Sequence, residues 1–199
     1  MARAAALLAC FAGTLRLEPD HVELTARRLR EADLFIRETK SPRSWNLSAR
    51  DAARLLIALL SDVPAVSAPM YVRQAERTSI DRKNIRKQRE GGDWLPALNG
   101  IDREDCSFVD AIEQLIMFAV SHFHEFKRLW TNTTVEYERL RNDGTIYFHG
   151  GGRFHEYSID FTVHFEGDMS NYPEDYDLTR RSSCAARTIA AIAEVLRDA

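Results

Sequence analysis

Several residue groups in this chain have types and spacing that could support chemistry, and each implies a different reaction. His149-Gly150-Gly151-Gly152 matches the oxyanion-hole string of esterases. That chemistry also needs a nucleophilic serine on a G-x-S-x-G elbow, and the chain contains none. The glycines therefore read as a hairpin turn. His122 and His124 have the look of a metal pair. Two residues apart on a helix, however, side chains diverge by about 160°, so a continuous helix cannot bring both to one ion. His149, His155 and His164 fall on predicted strands. The pleat puts His155 on the face of Tyr157 and Phe161 and His164 on the other. Asp102, Glu104 and Asp105 precede a predicted helix, where the helix dipole favours carboxylates. No phosphate-binding loop, dinucleotide fingerprint or calcium-binding loop occurs. Cys10, Cys106 and Cys184 are too sparse for a disulfide framework, and no CxxC pair exists to hold zinc. The expectation is a non-enzymatic protein with no catalytic residue, no cofactor and no metal.

The arginines and lysines point to binding. Arg27, Arg28 and Arg30 cluster within four residues. On a helical wheel Arg27 lies opposite the Val22/Leu29 stripe, and Arg28 and Arg30 flank it. Arginine presents a planar fork of donors suited to guanine edges and to phosphate. Arg37, Lys40 and Arg43 follow in a polar segment from which they could reach phosphates, with Trp45 as an apolar anchor. Residues 82–89 hold five basic side chains in eight, among them Lys83, Arg86 and Lys87. Such a run can track a phosphate backbone without reading sequence, or it can be a solvated face. Glu23 and Glu31 counter this picture, since each stands four residues from Arg27 and can pair with it.

The elements that would position these residues follow from periodicity. Ala4, Leu7, Leu8, Phe11 and Ala12 recur at helical spacing, so the chain opens with a helix ending near Gly13. The stretch ending Leu7-Leu8-Ala9-Cys10 resembles the end of a lipoprotein signal, but its apolar part is too short for a secretory core. Asp20 and Glu23 form a capping-box pattern for a second helix, with Val22, Thr25, Ala26 and Leu29 inward and an end near Asp33. Leu34-Phe35-Ile36 is short and β-prone. Residues 37–46 are polar and contain Pro42, which predicts a loop or hairpin tip. Ser48 and Asp51 cap a third helix whose buried face is Ala52, Leu55, Leu56, Leu59 and Leu60, and Pro64 stops it.

These residues carry a resemblance. The pattern over residues 7–35, and most of all Leu29-Arg30-Glu31-Ala32-Asp33-Leu34-Phe35, resembles the helix-turn-helix of bacterial winged-helix regulators, in particular small prophage-associated proteins of that kind. It covers about the first third of the chain. The family often has glycine where this chain has Arg16 and Asp33. The resemblance implies a winged-helix domain over residues 1–64, with the second helix in the major groove and the 37–46 segment as the wing.

Beyond it, residues 65–106 read as a basic linker and loop region, with a short helix near 70–77. Residues 107–199 read as an α+β domain. Ser107 to Trp130 is a helix apolar nearly all round, with Phe108, Ile112, Leu115, Ile116, Ala119, Phe123 and Phe126 on one broad face. Strands follow near 135–138 and 146–148, joined by an Asn142-Asp143-Gly144 turn. Tyr157, Ile159, Phe161, Val163 and Phe165 alternate with polar residues as a half-buried strand. Ala185, Ile189, Ile192 and Leu196 form the stripe of a last helix. The expected fold class is α+β, a helical winged-helix-like domain followed by a three-stranded antiparallel meander with two packing helices.

Composition sets the frame. With 199 residues, 45% hydrophobic and 29% charged, the chain is neither fibrous nor wholly disordered. No apolar run approaches a membrane span. The net charge of −3 hides +6 over residues 1–90 and −9 over 91–199. A basic first half and an acidic second half imply different partners. The expectation is a cytoplasmic protein that binds duplex DNA in a transcriptional or phage DNA-handling role. Its exposed sheet edge suits self-association into a dimer, and no membrane partner is expected. The alternative is a phage or host interaction protein, or inhibitor, whose helix-turn-helix is only a scaffold and whose acidic half binds another protein.

Overall fold

A computed structural model describes residues 2–35, 46–78, 106–129, 134–138, 143–147, 161–163 and 181–198. In order these form β1 (Ala2–Arg3), α1 (Ala4–Leu15), α2 (Pro19–Glu31), β2 (Asn46–Leu47), α3 (Ala49–Leu60), α4 (Ala68–Ala75), α5 (Phe108–Ser121), α6 (Phe123–Leu129), β3 (Thr134–Glu138), β4 (Asp143–Tyr147), β5 (Phe161–Val163), β6 (Arg181–Ala185) and α7 (Ala186–Arg197). The described chain is rich in helix.

Helix boundaries follow local chemistry. Ser48 caps α3 in a full capping box: its hydroxyl accepts from the Asp51 amide, and the Asp51 carboxylate accepts from the Ser48 amide. Ser107 and Asp110 repeat the device at α5. The expected box at Asp20 and Glu23 is absent. Pro19, with φ preset and no amide to satisfy, takes the first turn of α2, so the cap falls on Glu18, which makes no side-chain cap bond. α1 continues past Gly13 to Leu15. It ends with Arg16 at φ 56°, and the Leu17 amide donates to the Ala12 carbonyl at 3.0 Å. α2 ends the same way, with Asp33 at φ 56° and the Leu34 amide donating to Leu29 at 3.0 Å. Both are Schellman closures, which favour glycine at the left-handed position. They are the two positions where the resembled family often has glycine.

The expected fold class needs correction. The meander does not stand as a separate three-stranded unit with two helices behind a helical domain. Among the described residues four strands form the larger sheet, in the order β5-β4-β3-β6, all antiparallel. The added strand, β6, lies in the segment expected to be a polar loop before the last helix. Its sequence, Arg-Ser-Ser-Cys-Ala, has no apolar alternation, and pairing with β3 defines it. Asp143 and Gly144 are not the hairpin turn, because they pair with Glu138 and Tyr137 inside the ladder. The expected 107–130 helix is two helices, broken at His122 (φ −125°, ψ 45°). Of the expected strand 157–165, the described part is 161–163, and its burial prediction lies outside the described side chains.

One core joins both halves of the chain. It runs from Ala4 and Leu7 in α1, through Leu55 and Leu56 in α3 and Ile112 and Leu115 in α5, to Ile189 and Ile192 in α7. α3 packs on α5, α5 on α7, and α7 returns to α1. On the sheet, Val135 pairs with both Ile146 and Cys184, and all three are buried. The ring of Tyr137 stacks on Phe108 with centroids 6.1 Å apart, which seats the sheet on the start of α5.

Candidate nucleic-acid interface

α2 carries the three clustered arginines. Val22, Thr25, Ala26 and Leu29 are buried on its inner face, which leaves Asp20, Glu23, Leu24, Arg27, Arg28, Arg30 and Glu31 exposed. Charge is divided along the exposed side: the N-terminal half is acidic and the C-terminal half basic, an order that also suits the helix dipole. The arginines do not all project independently. Arg27 Nε donates to Glu31 Oε1 at 2.8 Å, and Arg28 Nη1 donates to Glu31 Oε2 at 2.8 Å. These bonds, Arg27's first and Arg28's second, hold the Glu31 carboxyl below the usual carboxylate range. The pairs lie in water: the Arg27 side chain is 65% exposed and that of Arg28 43%. Such pairs are weak and yield to a competing phosphate. Leu24, 45% exposed, stands one turn before Arg27 and Arg28.

After α2 the backbone leaves through Leu34 and Phe35, which are buried without forming a strand. It returns at β2, which pairs antiparallel with β1. Leu47 of β2 is fully buried. Phe35 and Leu47, on either side of residues 36–45, are thus both in the core. Arg37, Lys40, Arg43 and Trp45 lie outside the described residues, as do Lys83, Arg86 and Lys87 of the basic run.

A second polar cluster joins α3, α4 and α5. Arg54 donates from Nε and Nη2 to Glu76 Oε1, at 2.9 and 2.5 Å, and from Nη1 to the Leu34 carbonyl at 2.5 Å. Arg50 donates from Nη1 to Asp110 Oδ1 at 2.7 Å and to Glu113 Oε2 at 3.0 Å, and its Nη2 lies 3.6 Å from Glu76. Burial alone would raise the Asp110 carboxyl, but hydrogen bonds from Ser107 and then Arg50 hold it below its ordinary value. Burial likewise opposes the charge on Arg50, and Asp110 and Glu113 outweigh it to push its pKa up. The sequence reading missed this cluster. Its one signal is that Arg50 and Arg54 stand four residues apart on the flank of an otherwise apolar helix.

Other sequence candidates do not assemble into a site. Among the described residues no three His, Cys, Asp or Glu side chains stand close enough to hold a metal ion. His122 stacks on Phe118 at 4.8 Å between centroids, and His124 meets the edge of Phe123. Cys10, Cys106 and Cys184 are free thiols, and burial pushes Cys184 up to about 12. His149, His155, His164, Asp102, Glu104, Asp105 and the triple glycine lie outside the described residues. An open groove of about 350 Å³ runs between α6 and α7, lined by Phe126, Lys127, Arg187, Ala190 and Glu194 among others. No described helix is long and apolar enough to cross a membrane. No protein-family profile, curated protein or solved structure matches the chain.

Proposed function

We propose that this protein binds duplex DNA through α1, its turn and α2, in a transcriptional or phage DNA-handling role. One observation carries the reading: Arg27, Arg28 and Arg30 stand on the outward side of a helix whose opposite face is fixed in the core. On this reading α2 meets the major groove, and Arg37, Lys40 and Arg43 reach the flanking phosphates. Lys83, Arg86 and Lys87 add a grip that does not depend on sequence. Binding of a random-sequence duplex, titrated with salt, tests it. Affinity should fall steeply with salt, and Arg27→Ala should weaken binding by about 1–3 kcal/mol at a preferred sequence while leaving the fold intact. A parent protein that binds no duplex at low salt removes the reading.

A second reading rests on a specific observation. Glu31 already engages Arg27 and Arg28, and Leu24 offers an apolar contact beside them. A face of paired charges around an exposed leucine suits a protein partner. It predicts complex formation that survives salt and is lost in Leu24→Asp.

A further inference from the structure

The end of α2 is held by two arginines from other helices. Arg54 of α3 donates to the Leu34 carbonyl, and Arg73 of α4 donates from Nη2 to the Ala32 carbonyl at 2.9 Å. Ala32 caps α2, and Leu34 follows the closure of its last turn. Carbonyls at a helix end lack partners within the helix, and a guanidinium satisfies them while complementing the negative end of the dipole.

The two contacts differ in setting. The Arg54 side chain is 14% exposed, and Glu76 fixes its fork through two bonds to one oxygen. Arg73 is exposed and comes from the helix directly before Glu76. Arg50 stands on the far side of Glu76 and is itself held by Asp110 and Glu113 of α5. The line from α5 through Arg50, Glu76 and Arg54 to the α2 exit is continuous.

The inner stripe of α2, Val22, Thr25, Ala26 and Leu29, is buried and seats the helix on its neighbours, but it makes no contact of its own with the carbonyls at the helix end. Guanidinium bonds are directional and charge-assisted. Arg27, Arg28 and Arg30 occupy the last two turns of α2, next to the two carbonyls that are held.

We propose that Arg54 and Arg73, with Glu76 orienting Arg54, are positioning residues that set the angle at which α2 presents its arginines. The proposal rests on the DNA-binding reading for its consequence, but the latch itself can be measured without DNA.

The full chain is compared with Arg54→Met, Arg54→Lys and Arg73→Met. Amide hydrogen exchange across residues 28–34 should rise about tenfold or more in both Met variants, while residues 51–60 keep their protection. Arg54→Lys keeps the charge and loses the fork, so it should restore protection only in part. Binding to a random duplex of about 25 base pairs at about 50 mM salt should weaken about tenfold in Arg73→Met. That loss should shrink to less than about twofold when Arg27 and Arg28 are already alanine, because the latch acts through them. A merely structural role would give the same loss in both backgrounds, and that result overturns the proposal. Unchanged exchange across 28–34 in Arg73→Met also overturns it, whether or not Arg54→Met folds. If the parent binds no duplex, the DNA reading fails, and the exchange measurement still decides the latch.

Discussion

At Glu31 one carboxylate holds two arginines, and their pairing sets what α2 can offer a partner. Because Arg27 and Arg28 keep Glu31 ionised below the ordinary carboxylate range, mild acidification does not release them. A phosphate must displace Glu31 instead. Glu31→Gln removes this competitor, so it should tighten duplex binding several-fold at low salt and steepen the salt dependence by up to about one unit. Fluorescence anisotropy over a salt series measures both, and unchanged affinity would show that these arginines do not meet DNA. Arg16 carries a different residue-scale tension. Its φ of 56° is a left-handed conformation that a β-carbon disfavours. Arg16→Gly should raise stability by about 1 kcal/mol, measured by urea unfolding, with α2 unmoved. Asp33, short and polar, tolerates the same conformation better and should gain less from glycine.

At the scale of elements, α5 depends on Asp110, which closes the capping box with Ser107 and also accepts from Arg50. Its carboxyl titrates lower in the folded protein than in an unfolded chain, near 4. It therefore contributes stability that is fully present above the unfolded value and is lost as pH falls through the folded one. Asp110→Asn should flatten the loss of stability below about pH 4, read from thermal unfolding across pH. Ser107→Ala should cost about 1 kcal/mol at neutral pH. Such local devices were the legible part of the fold. Ser48 and Asp51 could be read because a cap and its partner stand three residues apart, and the helix from Ser107 because its apolar residues recur at helical spacing. Asp20 and Glu23 misled because Pro19 takes the first helical position and moves the cap two residues back, to Glu18. The break at His122 had no local signal: Phe123 and Phe126 continue the apolar pattern across it. β6 was invisible because its strand character comes from β3, more than forty residues earlier. In the candidate site, the outward arginines and the Arg27–Glu31 pair were legible from helical spacing, while the bond from Arg28 to the same carboxylate at i,i+3 was not read. Arg54, Arg73 and Glu76 were not, because their partners are distant in sequence, and two of those partners are backbone carbonyls.

At the scale of the molecule, a basic N-terminal part and an acidic C-terminal part share one interior. α1 lays Leu7 and Phe11 into a core that α7 completes with Ile189 and Ile192. The charge asymmetry therefore belongs to the surface and does not mark separate cores. Ile189→Ala, at a fully buried position, should cost about 2–5 kcal/mol through lost transfer energy and the cavity left behind. Because the core is shared, the loss should appear in α1 and α2 as much as in the sheet. Unfolding followed by probes placed in each half should give one coincident transition, and two separate midpoints would show that the halves fold independently.

The pairing of α1 with α7 also has a consequence during synthesis. Roughly 170 residues separate the two helices, and a ribosome adding about 5–20 residues per second needs some 10–30 seconds to supply the second after the first. Throughout that interval the face of α1 that α7 covers in the folded protein stays open, although α2 packs on its other side. A chain of this topology therefore keeps apolar surface open until residues 186–197 have been made, the condition under which nascent chains are prone to aggregate.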